Sequence, residues 1–309
     1  MLLNARAPVT RQPLAPLVIF FLCLFPMQAA AAGANSELVP GSRIVFPYYD
    51  LRPGFATFLI FTNVSLAAPA SVRLEFYDVT CIRRDSFISL SEGDTDLVDL
   101  ADFPGNSPTG TFQQGFVDAV AGADVLVGTA VIVNMIDDWM IFYHGAAARR
   151  QPGGVTPFEP YPSRLFLPGF LAPGSLGQAG FADGLLILAA PHPTQPGGEL
   201  PAQPIQAGFD IFLKKGSTAD GASFQGFARD ASAVSGGASG HQVILPIGQL
   251  TGSLPPPTLG WLSITNSVVD DSGIPFGLVG LYIQTVVRPE GGMAMAIRLW
   301  GDPTEVPGP

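Results

Sequence analysis

The sequence predicts an all-β protein, and its composition and its hydrophobic pattern both lead to that prediction. The 309 residues include 36 glycines and 30 prolines, which interrupt helices and form turns. Charged residues make up 13% of the chain, about half the share found in an average soluble domain, so few side chains suited to long exposed helices are present. Short apolar segments recur between the turn formers, as strands do in an antiparallel protein.

A cleaved signal peptide is expected at the start of the chain, over residues 1–32. Arg6 and Arg11 precede the apolar run 17–25, Pro26 ends that run, and small residues at Ala32 and Ala34 suit signal peptidase. The nine residues of the run fall far short of the roughly 20 needed to span a bilayer. We therefore expect a secreted, periplasmic or cell-surface protein with no transmembrane segment in the mature chain.

Beyond the signal, many short strands and hardly any helix are predicted. Strands at this spacing without intervening helices favour β-sandwiches, with a barrel or a propeller as alternatives. The predicted strands are 43–46, 57–62, 71–77, 86–90, 115–120, 125–135 and 139–144, then 164–167, 184–189, 207–213, 223–228, 242–247, 261–265, 276–287 and 293–300.

The two halves of the chain resemble each other at four places that occur in the same order. Leu-Val-Gly at 126–128 recurs at 278–280. The other pairs match in residue type: 43–47 with 164–168, 57–61 with 184–188, and 115–117 with 260–262. Chance similarity is the alternative, because strands draw on a narrow set of residues. The pattern predicts two tandem antiparallel β-sandwich domains of immunoglobulin-like type, 41–150 and 163–303, joined by a Pro/Gly-rich linker, 151–162.

The charge balance excludes nucleic acid as a partner. The formal net charge is −10 at pH 7, and cleavage of the signal would remove Arg6 and Arg11 as well. Polyanions are bound through basic patches, whereas the paired basic residues here, at 83–84, 149–150 and 214–215, are typical of solvated turns. Another envelope protein or a glycan is the expected partner.

Acidic residues are concentrated in the segment 92–102, which is predicted to be a loop. Its aspartates Asp94, Asp96, Asp99 and Asp102 are candidate calcium ligands, because hard carboxylate oxygens suit Ca²⁺. The spacing departs from that of an EF-hand loop, so a solvated acidic turn is the alternative. A glycosidase would need two carboxyl groups facing each other across a cleft, and nothing in the spacing fixes such a pair. No other cofactor is expected.

Other catalytic patterns are weak or absent. No serine has the flanking glycines of a nucleophile elbow, and Ser239 with His241 lies in a glycine-rich stretch that is typical of a flexible loop. His144, His192 and His241 are about fifty residues apart, without the close spacing of many zinc sites. With the signal removed, Cys81 is the sole cysteine, so no disulfide within the chain can form, and we expect a buried thiol.

Several aromatic residues fall outside the clear alternation of the strands. They would suit a sugar- or protein-binding platform, and burial at strand ends or between domains is the alternative. These residues are Tyr48, Tyr49, Phe158, Tyr161 and Phe170. The sequence as a whole predicts an exported, non-enzymatic protein with a structural or binding role at the cell envelope or outside the cell. The competing hypothesis is a secreted hydrolase that acts on a polysaccharide through loop carboxylates.

Overall fold

The computed structural model describes residues 39–79, 82–103, 105–106, 110–151, 157–191, 205–214, 224–229, 242–251, 259–269, 276–288 and 290–301. Within these residues the protein is all-β with antiparallel sheets. The predicted signal peptide lies outside the described residues, as do Cys81, His192, Ser239 and His241.

Among the described residues, the N-terminal half contains nine strands. They are β1 (Arg43–Asp50), β2 (Phe55–Asn63), β3 (Ala70–Asp78), β4 (Arg83–Leu90), β5 (Thr95–Asp99), β6 (Gln114–Ala121), β7 (Leu126–Asn134), β8 (Trp139–His144) and β9 (Ala146–Ala148). A short 3-10 helix, Leu100–Asp102, follows β5, and the side chain of Asp99 caps it by accepting a hydrogen bond from the Ala101 amide.

The C-terminal half repeats this order with small additions. Its strands are β10 (Arg164–Leu171), β11 (Gly174–Ser175), β12 (Phe181–Ala189), β13 (Ala207–Lys214), β14 (Phe224–Arg229), β15 (Gln242–Pro246), β16 (Leu259–Asn266), β17 (Val279–Arg288), β18 (Gly291–Arg298) and β19 (Trp300–Gly301). A 3-10 helix covers Gly177–Ala179, and a short α-helix, α1 (Ile247–Thr251), directly follows β15.

In the part of the chain that the structure describes, each half contributes two antiparallel sheets. In the N-terminal half the strand orders are β4-β3-β6-β1-β9 and β5-β2-β7-β8. In the C-terminal half they are β14-β13-β16-β10-β19 and β11-β12-β17-β18, with β15 also paired to β12. The arrangement of the four sheets can be read as a four-bladed, propeller-like ring, and it does not by itself confirm two immunoglobulin-like sandwiches.

The matched sequence segments occupy corresponding positions in these ladders. Gly128 of the first Leu-Val-Gly segment pairs with Phe61 on β2, and Gly280 of the second pairs with Leu188 on β12. Both first strands also shift register at a proline-containing step, between Phe46 and Tyr49 in β1 and between Leu167 and Phe170 in β10. A proline has no amide hydrogen to give to a ladder, which explains why the pairing is interrupted there.

Alternation along the strands sorts the side chains between core and exterior. In β1, Ile44 and Phe46 point into the first core, so Arg43 and Val45 point away from it. The second core gathers the inward residues of the C-terminal sheets, among them Leu165, Leu186 and Tyr282.

All the predicted strands are present, with ends that differ by a few residues. The segment 92–102 was predicted to be a loop, and the structure instead places Thr95–Asp99 in strand β5 at the edge of a sheet. That strand was missed because its alternation is partly hidden by acidic residues on an exposed edge. The short strands β9, β11 and β19 and helix α1 were also missed. Among the described residues, no helix is both long and apolar enough to cross a membrane.

Candidate functional site

A buried ionic cluster lies on the outward side of the sheet that contains β1, β3 and β6. Arg43 on β1 donates from Nε to Asp118 Oδ1 at 3.0 Å and from Nη2 to Asp118 Oδ2 at 2.5 Å. Arg43 is only 1% exposed and Asp118 only 2%. Glu75 on β3 lies beside Asp118 in the ladder and is also fully buried. The sequence places these side chains together because each alternates with a residue that faces the core.

Aromatic residues between the two halves close over this cluster. The Arg43 guanidinium carbon lies 5.5 Å from the ring centre of Phe158 and 5.7 Å from that of Tyr161. Desolvated guanidinium–ring contacts of this kind are attractive. Burial acts to lower the pKa of Arg43, but the charge of Asp118 and the hydrogen bonds to it act more strongly together, and the pKa is raised above its usual value.

Glu75 is held by two partners. Tyr77 donates its hydroxyl to Glu75 Oε2 at 2.8 Å, and Arg73 Nη2 lies 2.8 Å from Glu75 Oε1. Burial, and after it the negative charge of Asp118, raises the pKa of Glu75. Burial and the nearby Glu75 charge likewise raise the pKa of Tyr77. Glu75 or Tyr77 can hold a proton, but a reaction would also require a substrate to reach that side chain.

A second buried network ties strand β1 to the turn that follows it. Asp50 is 1% exposed, and its carboxylate accepts hydrogen bonds from Tyr48 Oη at 2.7 Å and from Arg52 Nη2 at 2.7 Å. Gln114 Nε2 donates to Tyr48 Oη at 2.8 Å. Burial and the Asp50 charge raise the pKa of Tyr48. Every member of this network is engaged in holding the turn, so we interpret it as structural.

The candidate calcium ligands are spread over the turn before edge strand β5, the strand itself and the 3-10 helix after it. Asp99 Oδ1 accepts from the Ala101 amide at 2.9 Å, and Asp94 Oδ2 accepts from the Ser91 amide at 3.4 Å. Asp96 and Asp102 are exposed. Within the part of the chain that the structure describes, no three His, Cys, Asp or Glu side chains come together as a metal site. The calcium site remains a prediction.

No family model matches the sequence, and no curated protein matches it. Four chains among the solved structures do match. One is the crystal structure of Thermotoga maritima 1070, with a TM-score of 0.31 and 12% sequence identity. The match covers 35% of this chain and 95% of that one. Similarity of this size carries no argument about function.

The aromatic residues proposed as a binding platform are mostly covered. Tyr48, Tyr49, Phe158 and Phe170 are buried, and Tyr161 is half-buried. The alternative, burial at strand ends and between the halves, is therefore the one observed. His144 lies at the end of β8, where its Nδ1 is 2.9 Å from Thr129 Oγ1.

Sequence reasoning missed the Arg43 cluster. The sequence does contain an indication of this cluster, because Arg43, Glu75 and Asp118 are charged residues that interrupt otherwise apolar strands. A charge at such a position is seldom fully buried without a partner. The pairing itself depends on strand order, which composition and periodicity do not reveal.

A small cavity lies elsewhere, at the turn between β2 and β3. Its volume is about 150 Å³, and its lining includes Ser65, Ala70, Ser71 and Gly122. None of the residues that line it is titratable. This cavity offers no acid, base or nucleophile beyond hydroxyl groups.

Proposed function

We propose that the protein is an exported, non-enzymatic protein built from two duplicated β-sandwich domains, with a structural or binding role at the cell envelope or outside the cell. The observation that carries the proposal is the register match between the halves. Gly128 and Gly280, and the two proline-containing register shifts, fall at equivalent ladder positions. Many cell-surface domains share this sandwich architecture.

Strand pairing supports the sandwich part of the proposal. β1 pairs with β6 and β6 with β3, while β2 pairs with β7 and β7 with β8. These are the neighbours B–E, E–D, C–F and F–G of an immunoglobulin fold. β4 and β5 are then additional strands inserted between the strands that correspond to D and E. The C-terminal half has the same pairings among β10, β16, β13, β12, β17 and β18.

The way in which the buried charged side chains are paired supports a non-enzymatic role. The Arg43 guanidinium lies under the rings of Phe158 and Tyr161 and is paired with Asp118, and the Asp50 carboxylate accepts hydrogen bonds from Tyr48 and Arg52. Buried ionic groups that are fully paired fix the packing of strands. A hydrolase would instead leave a carboxyl group in contact with its substrate.

The first experiment tests export. Fractionation followed by N-terminal sequencing should find the mature protein outside the cytoplasm, starting close to Ala32 or Ala34. A Leu22→Arg variant, which interrupts the apolar run, should stay unprocessed inside the cell. Wild-type protein that remains unprocessed in the cytoplasm would overturn the proposal.

The second experiment separates the proposal from the secreted-hydrolase alternative. The purified mature protein is screened on polysaccharides and esters, alongside Asp94→Asn, Asp96→Asn and Asp99→Asn variants. We expect no turnover from any of them. Turnover by the wild type that one of these variants abolishes would establish the alternative.

A further inference from the structure

Strand β4 forms one edge of the sheet β4-β3-β6-β1-β9. It pairs with β3 in an uninterrupted antiparallel register over its whole length, Arg83–Leu90. Among the residues that the structure describes, no strand pairs with the other side of β4. Asp85, Phe87 and Ser89 are exposed, and Phe87 is 66% exposed. The outer side of this strand is therefore in contact with solvent.

The backbone groups on this outer side follow from the hydrogen bonds of the ladder. In an antiparallel pair, residues that exchange hydrogen bonds alternate with residues whose amide and carbonyl groups point away from the partner strand. The Asp78 amide donates to the Ile82 carbonyl oxygen at 3.1 Å. Following the register from that pair, Asp85, Phe87 and Ser89 direct their amide and carbonyl groups away from β3. Within the described part of the chain, these outward groups have no backbone partner.

The other sheet edges in the described part of the chain are short, interrupted or already flanked. Strands β9, β11 and β19 have two or three residues, and β5 has five residues that include two aspartates. Strand β14 contains Gly226, and β15 ends at Pro246. Strand β18 approaches β8, where the Gly292 amide donates to the Asp137 carbonyl oxygen at 2.7 Å. Devices of this kind protect an edge from pairing with another chain.

Strand β4 lacks these devices. Its eight residues include no proline and no glycine, and its register has no bulge. The charges at its start are partly neutralised within the strand, because Arg83 Nε lies 3.1 Å from Asp85 Oδ1. The rest of the strand, from Ser86 to Leu90, is uncharged. A long, regular edge with exposed apolar side chains is a template for pairing with another strand.

The strand is complementary to a second copy of itself. Two β4 strands paired antiparallel about a two-fold axis at Phe87 would place the two Phe87 rings opposite each other, and aromatic cross-strand pairs are favourable. Asp85 of each copy would lie opposite Ser89 of the other, so no like charges would face each other. A two-fold axis at Asp85 would instead oppose two carboxylates, which is unfavourable. With the axis at Phe87, the outward groups would form about six backbone hydrogen bonds between the strands.

We propose that β4 pairs edge to edge with β4 of a second copy of this protein, antiparallel about a two-fold axis at Phe87. The two five-stranded sheets then join into one continuous sheet. This is recognition by strand addition, here between identical chains, and two-fold dimers are the commonest symmetric assemblies. A strand edge is a small interface, so the association is reversible and depends on concentration. The inference concerns the first half alone and depends neither on the duplication nor on export.

A proline variant tests whether the backbone edge makes the contact. In sedimentation velocity the mature protein should shift from monomer to dimer, and no further, as its concentration is raised. Ser89→Pro should stay monomeric at concentrations at which the wild type is a dimer, because proline has no amide hydrogen to donate. The Ser89 amide points away from β3, so this change removes no hydrogen bond within the chain. The matched control Ser89→Ala keeps the amide and should form dimers like the wild type.

Charge exchange at Phe87 tests the two-fold axis. Phe87→Lys and Phe87→Glu should each be monomeric alone, because like charges would face each other across the axis. Mixed together, they should form a 1:1 heterodimer. The control Phe142→Lys changes a phenylalanine that is 55% exposed on β8 and should form dimers like the wild type. At concentrations at which the wild type is monomeric, all variants should keep its melting temperature within a few degrees.

Amide hydrogen exchange supplies a second measurement. The amides of Phe87 and Ser89 should exchange more slowly in the dimer than in the monomer, whereas those of Ser86 and Ile88, which are bonded to β3, should change little. A wild-type protein that stays monomeric up to about 100 μM would put the dissociation constant above about 0.1 mM and would overturn the inference. A dimer that Ser89→Pro does not weaken, or a Lys–Glu mixture that stays monomeric, would do the same. If the wild type is monomeric and an extended segment of another protein protects these amides, the edge has a different occupant and the inference is wrong.

Discussion

Arg43 and Asp118 form a two-point ion pair that is almost completely removed from solvent, on the outward side of a sheet. The location is unusual, because outward positions normally face water. The linker aromatic residues Phe158 and Tyr161 cover the pair, so it is buried by the junction between the halves. The ion pair thus links the first sheet to the segment that leads into the second half.

Removing one partner of this pair should be costly. Asp118→Asn leaves the Arg43 charge buried without its counterion, and we expect a loss of about 3–5 kcal/mol in the free energy of unfolding. Urea denaturation measures this loss of stability. The control Asp85→Asn breaks the more exposed Arg83–Asp85 pair and should cost less than about 1 kcal/mol. Replacing both partners, Arg43→Met with Asp118→Leu, should recover much of the loss, and a double variant as unstable as Asp118→Asn would contradict this account.

Glu75 should make stability depend on pH in a definite direction. Burial raises its pKa in the folded protein, so ionised Glu75 destabilises the fold above that pKa. The penalty disappears as the pH falls toward about 4.3, the ordinary pKa of glutamate. A Glu75→Gln variant carries no such group. The wild type should therefore gain stability relative to Glu75→Gln as the pH is lowered, as followed by urea denaturation at several pH values. A dependence of stability on pH that is the same in the wild type and in Glu75→Gln would contradict this account.

The calcium prediction concerns Asp94, Asp96, Asp99 and Asp102. A cation that binds only the folded form stabilises it by mass action, by about 2.7 kcal/mol at a hundredfold excess over the dissociation constant. Extracellular sites commonly bind at about 10⁻⁴ to 10⁻³ M, so millimolar CaCl₂ should raise the melting temperature above that in NaCl of equal ionic strength. An Asp94→Asn, Asp96→Asn variant should lose the rise. Equal melting temperatures in the two salts would show that this segment is a solvated acidic edge without a calcium site.

Strand positions could be predicted from the sequence because alternation and turn residues are local signals. The pattern predicts Trp139–His144 with both ends correct, and the repeated Leu-Val-Gly segments are recognisable from their residues alone. Edge strand β5 was missed, since Asp96 and Asp99 interrupt its apolar pattern and only Val98 of its five residues is buried. Whether such a segment forms a strand depends on its partial burial, and that burial depends on which strands lie next to it.

The ionic cluster and the contact between the two halves could not be predicted for a related reason. Arg43, Glu75 and Asp118 are separated by tens of residues, and they meet only because β3, β6 and β1 are adjacent in the sheet. Phe142 and Ala296 look equally apolar in the sequence. Phe142 is exposed and Ala296 packs against the core of the first half, and this difference depends on how the two halves contact each other.

The two repeated glycines should be required for the same steric reason. A Cβ at Gly128 would lie 2.6 Å from Phe46 Cζ, and one at Gly280 would lie 2.9 Å from Leu165 Cδ1. The Phe46 ring cannot move away easily, because the Phe61 ring packs edge-on against it at 5.6 Å. Gly128→Ala should therefore cost about 1–3 kcal/mol in the free energy of unfolding. Gly280→Ala should also destabilise, by less because the two atoms closest to a Cβ there are the ends of leucine side chains, which move more easily than the Phe46 ring.

A control and a rescue make the glycine prediction specific. Gly122→Ala should change the free energy of unfolding by no more than about 0.5 kcal/mol, because no atom lies within 4 Å of a Cβ built there. Adding Phe46→Leu to Gly128→Ala should make the double variant less unstable than the sum of the two single changes, since the smaller side chain makes room for the methyl group. Additive losses would mean that Gly128 is needed for some other reason than contact with Phe46. In that case the shared glycine would no longer be explained by a shared packing arrangement in the two halves.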